Sequence, residues 1–171
     1  MNNYADLIRA VPDFPKPGIQ FKDITPLLQH PQGFQAAVND LIAKVDGVEF
    51  DTIAAVDARG FLFGGALAYQ MGKPLALIRK RGKLPYETVE AEYALEYGTA
   101  AVALHVDALS AGPRTLLVDD VIATGGTLRA SAELIKILGG EIAAIAALIE
   151  LTFLNGRALF ENERVISLIS Y

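Results

Sequence analysis

Two adjacent carboxylates followed by small and hydroxylated residues occupy Val118–Thr127, VDDVIATGGT. The apolar residues before them read as a strand that delivers Asp119 and Asp120 to the edge of a sheet, and TGGT reads as the opening of a helix. The backbone N–H groups of Ala123, Thr124, Gly125, Gly126 and Thr127 can converge there on one phosphate, helped by the positive end of the helix dipole. The glycines allow close backbone approach, and Thr124 and Thr127 add hydroxyl donors. Two carboxylates are acceptors suited to a pair of sugar hydroxyls, so the stretch predicts a cradle for a ribose 5-phosphate. Each fragment alone has an ordinary alternative, acids that merely end a strand and a TGGT that merely caps a helix; together and in this order they favour the ligand. The sequence contains neither GxxxxGK[ST] nor GxGxxG, and the loop has no lysine, so a single phosphate suits it better than a triphosphate or a dinucleotide.

Arg79, Lys80, Arg81 and Lys83 place four cations within five residues of an otherwise acidic chain. Such a run is often only a solvated loop. Following a strand and lying beside Gly82 and Pro85, it reads instead as a lid that closes over an anion and excludes water. Glu87, Glu90 and Glu92 in the same stretch have no chemical role beyond pairing with those cations. His30 and His105 are isolated and read as structural.

The elements that must position these groups follow from periodicity. Asn3–Val11 carries apolar residues at helical spacing and stops at Pro12. Pro12–Pro26 holds four prolines and one glycine, which excludes a central strand or a helix and predicts an ordered loop or small hood. Helices are expected over Pro31–Val45, Phe61–Met71 and Gly126–Leu138, with glycines closing the last two. Strands are expected at Thr52–Val56, Pro74–Ile78, Tyr93–Tyr97, Ala101–Val106, Thr115–Val118, Glu141–Leu151 and Val165–Ile169, and Arg79–Glu92 is expected to be a mobile loop. Strands alternating with helices predict an α/β fold, a mostly parallel central sheet with helices on both faces, plus a small N-terminal hood formed mainly by residues 1–30. In such folds ligands gather beyond the carboxyl ends of the strands.

Length and composition bound the rest. A chain of 171 residues fits one domain, 1–171. A net charge of -5 argues against a broad nucleic-acid surface. The absence of cysteine excludes disulfides, thiolate metal sites and thiol nucleophiles, and fits a cytoplasmic location. The longest unbroken apolar run, Ile142–Ile149, is far shorter than the roughly 20 residues of a membrane span. The opening MNNYADLIRA lacks the apolar core of a secretory signal.

The acids-then-TGGT pattern resembles the signature of the type I phosphoribosyltransferases. Further segments agree in order: VPDFPKPGIQFKDITPLL at Val11–Leu28, ARGFLFGGALA at Ala58–Ala68, IRKRGKLP at Ile78–Pro85 and YALEYG at Tyr93–Gly98. The resemblance covers nearly the whole chain and implies the type I phosphoribosyltransferase fold. It implies an enzyme that takes phosphoribosyl pyrophosphate as donor, with magnesium, and transfers the 5-phosphoribosyl group to a purine. The hood and YALEYG resemble the branch of the family that uses adenine, giving AMP and pyrophosphate in a purine salvage step.

Carried onto this sequence, the resemblance assigns ribose and 5-phosphate to Asp119, Asp120 and Ala123–Thr127. It assigns pyrophosphate to Asp57, Ala58 and Arg59, with Arg79, Lys80 and Lys83 from the lid. The peptide bond between Asp57 and Ala58 is implied to be cis. Glu96 is implied to stand beside the purine's imidazole ring as acid and base, with Arg59 also catalytic. Adenine presents an amino donor next to a ring acceptor, so one backbone C=O and N–H pair reads it; the family match places that pair at Gln20. Phe21 or Phe14 would supply an apolar wall, with Arg59 close to the base. Magnesium keeps several waters and binds mainly through substrate phosphates, so no direct protein ligand is expected and Asp119 and Asp120 contribute indirectly. Family precedent and the abundance of apolar residues favour a homodimer, with no nucleic-acid or membrane partner.

Two rivals stay open at this level. A 6-oxopurine or xanthine enzyme of the same fold would need a donor such as lysine facing the base oxygen. A nucleic-acid-binding regulator that kept the fold as a sensor would need a basic segment. The hood text disfavours the first, and no such segment is visible for the second. The chain after Ile169 is also too brief to promise a further hood contact.

Overall fold

The computed structural model describes residues 4–94 and 98–171. The chain opens with a 3-10 turn at Tyr4–Leu7 and two short strands, β1 (Arg9–Pro12) and β2 (Gln20–Asp23), paired antiparallel. The helix expected over Asn3–Val11 is therefore one turn and a strand. Its apolar residues pack against the main core at Tyr4, Leu7 and Ile8, while the ladder to β2, where Val11 faces Phe21, takes up the backbone groups from Arg9 onward. The proline-rich loop between the strands is closed by Asp13, whose carboxylate accepts from the Gly18 N–H at 2.7 Å, and by the Phe14 N–H to Ile19 carbonyl bond. Arg9 pairs with Asp23, and hydrogen bonds from Thr25, with help from Arg9, hold the Asp23 carboxyl down at about 2. A ladder hydrogen-bonded within itself makes the hood a small unit of its own.

After a single helical turn, α1 (Thr25–Leu28), helix α2 (Pro31–Val45) starts where Pro31 fits the first turn, and the His30 ring nitrogen accepts the Gly33 N–H at 3.0 Å. His30 is thus a cap. The remaining order is β3 (Thr52–Val56), α3 (Gly60–Met71), β4 (Leu75–Lys80), β5 (Thr88–Ala94), β6 (Thr99–His105), β7 (Arg114–Ile122), α4 (Gly126–Ile137), β8 (Glu141–Glu150) and β9 (Val165–Ser170). Gly72 ends α3 in the left-handed conformation, φ 62°, as its position in the sequence required.

The seven-stranded sheet has the order β5-β6-β4-β3-β7-β8-β9. β4, β3, β7, β8 and β9 run parallel, and β5 and β6 form an antiparallel edge. The predicted α/β architecture holds. Period-2 alternation divides the interior: Leu116 and Val118 of β7 join Leu41, Phe63 and Leu67 on the face covered by α2 and α3, whereas Leu117 joins Leu128, Leu134 and Ile135 under α4. From β3 the chain crosses to β4 on one side and later returns as β7 on the other. The crevice between the ends of β3 and β7 is therefore the switch point at which open α/β sheets bind ligands.

The loop expected over Arg79–Glu92 is only half a loop. Val89, Ala91 and Tyr93 face inward while Glu90 and Glu92 face outward, and this alternation pairs β5 with β6 along its whole length. Both acids bind Arg81, Glu90 at 2.5 Å and Glu92 at 3.1 Å, so they brace the hairpin. His105 closes its base by accepting the Tyr86 N–H at 3.3 Å. The end of the chain also reaches the hood: the Lys22 ammonium lies 3.6 Å from the centre of the Tyr171 ring.

Close approach of α3 to β3 depends on Gly64, where a methyl group would overlap the Ala55 side chain outright. Gly64→Ala is expected to cost about 1–3 kcal/mol through overpacking. At this chain length each kcal/mol lowers Tm by about 2–4 °C, measurable by calorimetry. An unchanged Tm would mean that α3 can slide off the sheet without penalty.

Candidate active site

A cavity of about 520 Å³ opens at the switch point between the ends of β3 and β7. β3 ends at Val56, and the next three residues turn sharply into α3. The peptide bond between Asp57 and Ala58 is cis, as the resemblance implied, and Asp57, Ala58 and Arg59 all line the cavity. The turn lies hard against β7. A side chain at Gly60 would stand 2.9 Å from the Asp119 carboxylate and 3.0 Å from the Val118 carbonyl, so only glycine lets the two loops share one wall.

β7 runs past the acids to Ile122 and stays paired with β8 as far as Glu150. Asp119 and Asp120 are thus held within a strand and not at its frayed end. Asp120 is 4% exposed, and Asp119 accepts the Asp120 N–H at 2.8 Å. Burial, then the neighbouring charge of Asp120, pushes the Asp119 carboxyl well above the usual carboxylate range. Arg59 partly offsets that cluster, its Nε lying 2.7 Å from Asp120 Oδ2. That contact is one of charge, because no hydrogen is aimed at the oxygen, which has no directed hydrogen-bond partner among the described residues.

Ala123, Thr124, Gly125, Gly126 and Thr127 line the same cavity, and α4 begins at Gly126. Gly125 adopts φ 83°, a conformation open to glycine that turns the chain from strand to helix. The loop and the helix N-terminus therefore offer backbone donors to an anion in the cavity, with the two acids a few residues away in the chain.

Of the lid cations, Lys80 lines the cavity. Arg79 turns to Asp57 at 3.2 Å and donates to the Lys83 carbonyl at 3.0 Å, which fixes the lid's base to the turn after β3. Lys83 itself is exposed at the lid's turn. In the hood, Phe21 packs edge-on against Phe14 with ring centres 5.2 Å apart, and the Arg59 guanidinium stands 5.0 Å from the Phe21 ring. Gln20 is exposed on β2, with its side chain near Lys22, and does not line the cavity. Glu96 lies outside the described residues.

The sequence reading missed Tyr93, which lines the cavity and would touch a side chain placed at Gly126 at 3.5 Å. Its place on the inward face of a period-2 run was the available signal. Among the described residues no group of three His, Cys, Asp or Glu could hold a metal ion. A buried acid pair with an oxygen lacking a directed partner fits a magnesium ion that arrives on its substrate and keeps its waters.

The match to known proteins follows the same outline. Residues 24–162 match the model of the phosphoribosyl transferase domain. The adenine phosphoribosyltransferase of Thermosipho melanesiensis is 52% identical over 96% of this chain and 94% of its own length. The crystal structure of the Thermoanaerobacter pseudethanolicus adenine phosphoribosyltransferase superposes with a TM-score of 0.96, at 49% identity over 98% of both chains. That of Saccharomyces cerevisiae, complexed with an imino-altritol bisphosphate and adenine, superposes at 0.91, with 34% identity over 98% of this chain and 99% of the other. With its strands, turn and loop in the same arrangement, this chain belongs to the phosphoribosyl transferase family, among the adenine phosphoribosyltransferases.

Proposed function

We propose that this chain transfers the 5-phosphoribosyl group from phosphoribosyl pyrophosphate to adenine, giving AMP and pyrophosphate in purine salvage. The observation that carries the reading is one cavity whose wall joins the acid pair Asp119–Asp120, the anion loop Ala123–Thr127 and the turn Asp57–Arg59. The 5-phosphate sits on the loop amides and the Thr124 and Thr127 hydroxyls, and the ribose hydroxyls donate to Asp119 and Asp120. Pyrophosphate lies on the turn at Asp57 and Ala58, facing Arg59 and Lys80, with Arg79 and Lys83 completing the lid.

As pyrophosphate leaves, positive charge develops on the sugar, and the acid pair is already placed to stabilise it. The crowding that raises Asp119 is relieved by that charge, so the interaction is stronger in the transition state than before it. Adenine enters beneath the hood between Phe21 and Arg59, reads the backbone at Gln20, and exchanges its ring proton with Glu96. Magnesium, bound through the donor's oxygens with Asp119 and Asp120 acting indirectly, would neutralise the departing pyrophosphate.

The whole chain, 1–171, acts as one domain with residues 1–30 as its hood. Among the described residues no helix is long and apolar enough to cross a membrane; a cytoplasmic enzyme without nucleic-acid or membrane partners is the reading that the cysteine-free, acidic composition supports. Leu62 and Tyr69 on α3 and Leu75 and Leu77 on β4 are exposed apolar side chains, which suits a homodimer buried along that side. Incubation with phosphoribosyl pyrophosphate, magnesium and each purine in competition tests the acceptor. Adenine should be consumed first, and equal or faster use of hypoxanthine or guanine would overturn the assignment.

A further inference from the structure

The phosphate loop is backed, on the side away from the cavity, by a turn that the chemistry above does not use. After β8 the chain makes a 3-10 turn at Thr152–Leu154 and a second one at Gly156–Phe160. Gly156 is buried against the loop: a side chain there would overlap the Ala123 carbonyl and stand 2.9 Å from both the Gly125 nitrogen and the Thr124 carbonyl carbon. The approach is reciprocal, since a side chain at Gly125 would stand 2.7 Å from the Gly156 carbonyl. Two backbones are therefore in direct contact with no side chain between them. The Ala123 carbonyl lodges against Gly156, and a carbonyl held there cannot swing toward a bound anion.

The turn is fixed in place by the next residue. Arg157 donates through Nε to Glu150 at 2.8 Å, through a second nitrogen to the other carboxylate oxygen, and through a third to the Val165 carbonyl at 2.9 Å. Ser167 donates to the same carboxylate at 2.7 Å, and Glu150 is 5% exposed. Glu150 ends β8 opposite Ile122 of β7, one residue before the loop begins. The pair thus locks the turn to the strand end from which the loop departs.

We propose that Asn155–Arg157 forms an outer layer of the anion cradle, with Gly156 a positioning residue that sets affinity for the phosphorylated ribose and Arg157 the pin that holds it. The proposal rests on reading Ala123–Thr127 as the 5-phosphate site. Gly156→Ala must push the loop inward or away, disturbing the amides that meet the phosphate. The test is calorimetric binding of ribose 5-phosphate, together with KM and kcat, on the unsubstituted chain, Gly156→Ala and Arg157→Met. Gly156→Ala should weaken ribose 5-phosphate binding and raise KM for phosphoribosyl pyrophosphate at least tenfold. kcat at saturation and KM for adenine should stay within threefold, a split that general loosening of the fold would not give. Arg157→Met should shift the same two quantities by threefold or more, and it decides the matter where Gly156→Ala does not fold. Ribose 5-phosphate affinity within threefold of normal in a folded Gly156→Ala, or failing that in Arg157→Met, overturns the outer layer and leaves the cradle standing. No binding to the unsubstituted chain overturns the cradle itself, and the outer layer with it.

Discussion

Arg59→Ala is expected to lower kcat/KM by about 10²–10³, the usual loss when one preorganised charge-stabilising donor is removed. From the turn after β3 its guanidinium reaches two other parts of the site, Asp120 of β7 at 2.7 Å and the Phe21 ring of the hood at 5.0 Å. Removing it takes away the proposed anion ligand and leaves Asp120 buried without its counter-charge, beside the crowded carboxylate of Asp119. The pH profile gives a second readout. The Arg59 charge lowers the Asp119 pKa, so its loss moves that group further up, and the acid limb of kcat/KM should shift to higher pH. Arg59→Lys restores charge but neither the planar fork nor the face that stacks on Phe21, so it should recover less than about tenfold of the loss. Initial rates with either substrate varied provide the measurement, and activity within threefold of normal for Arg59→Ala would remove the residue from the mechanism.

How much of this was legible in the residues differs by part. Val118–Thr127 was readable because strand, acids, glycines and helix start are contiguous, and each carries a local physical requirement. The helices at Pro31–Val45 and Gly60–Met71 and the strand at Thr52–Val56 were readable for the same reason, since hydrophobic period and terminal Pro or Gly agree. Arg9–Pro12 was not: four residues continuing an apolar turn carry no strand signal until β2 is there to pair with them. β5 misled in the opposite way, because Glu90 and Glu92 looked like loop residues until Arg81 and the β6 ladder gave them an outward face. Gly156 illustrates the limit most sharply. Nothing in LNGRALF says that its glycine touches Ala123, more than thirty positions earlier, because only the parallel register of β7 and β8 brings the two together.

That contrast also explains how a chain of net charge -5 can hold a highly charged anion. In the proposed binding mode the 5-phosphate is met mainly by backbone amides and a helix end, which cost no net charge. Side-chain cations are left to the proposed pyrophosphate site, and two of the lid's four are already engaged, Arg79 with Asp57 and Arg81 with Glu90 and Glu92. Lys80 faces the cavity. The lid is thereby held as a braced hairpin and contributes charge at its base, next to the turn proposed to hold the leaving group.

The second large effect concerns the acceptor. Glu96→Gln is expected to lower kcat by about 10²–10⁴, the range for removing a general acid or base, with ribose 5-phosphate affinity unchanged. Adenine must lose one ring proton as its nitrogen attacks the sugar, and a carboxylate near the imidazole edge can take it; an amide of the same shape can hold the base but cannot accept the proton. Tyr93, three residues earlier in the sequence, lines the cavity beside Gly126 near the end of β5, on the wall proposed to hold the 5-phosphate. Substituting Glu96 should therefore divide the two half-sites: donor binding intact, turnover lost, and the dependence of kcat on a carboxylate's ionisation abolished. Glu96→Asp, which keeps the carboxylate on a shorter arm, should recover part of the rate, whereas Glu96→Ala should resemble Glu96→Gln. Near-normal turnover in Glu96→Gln would mean that solvent removes the proton and that Glu96 does no more than hold the base.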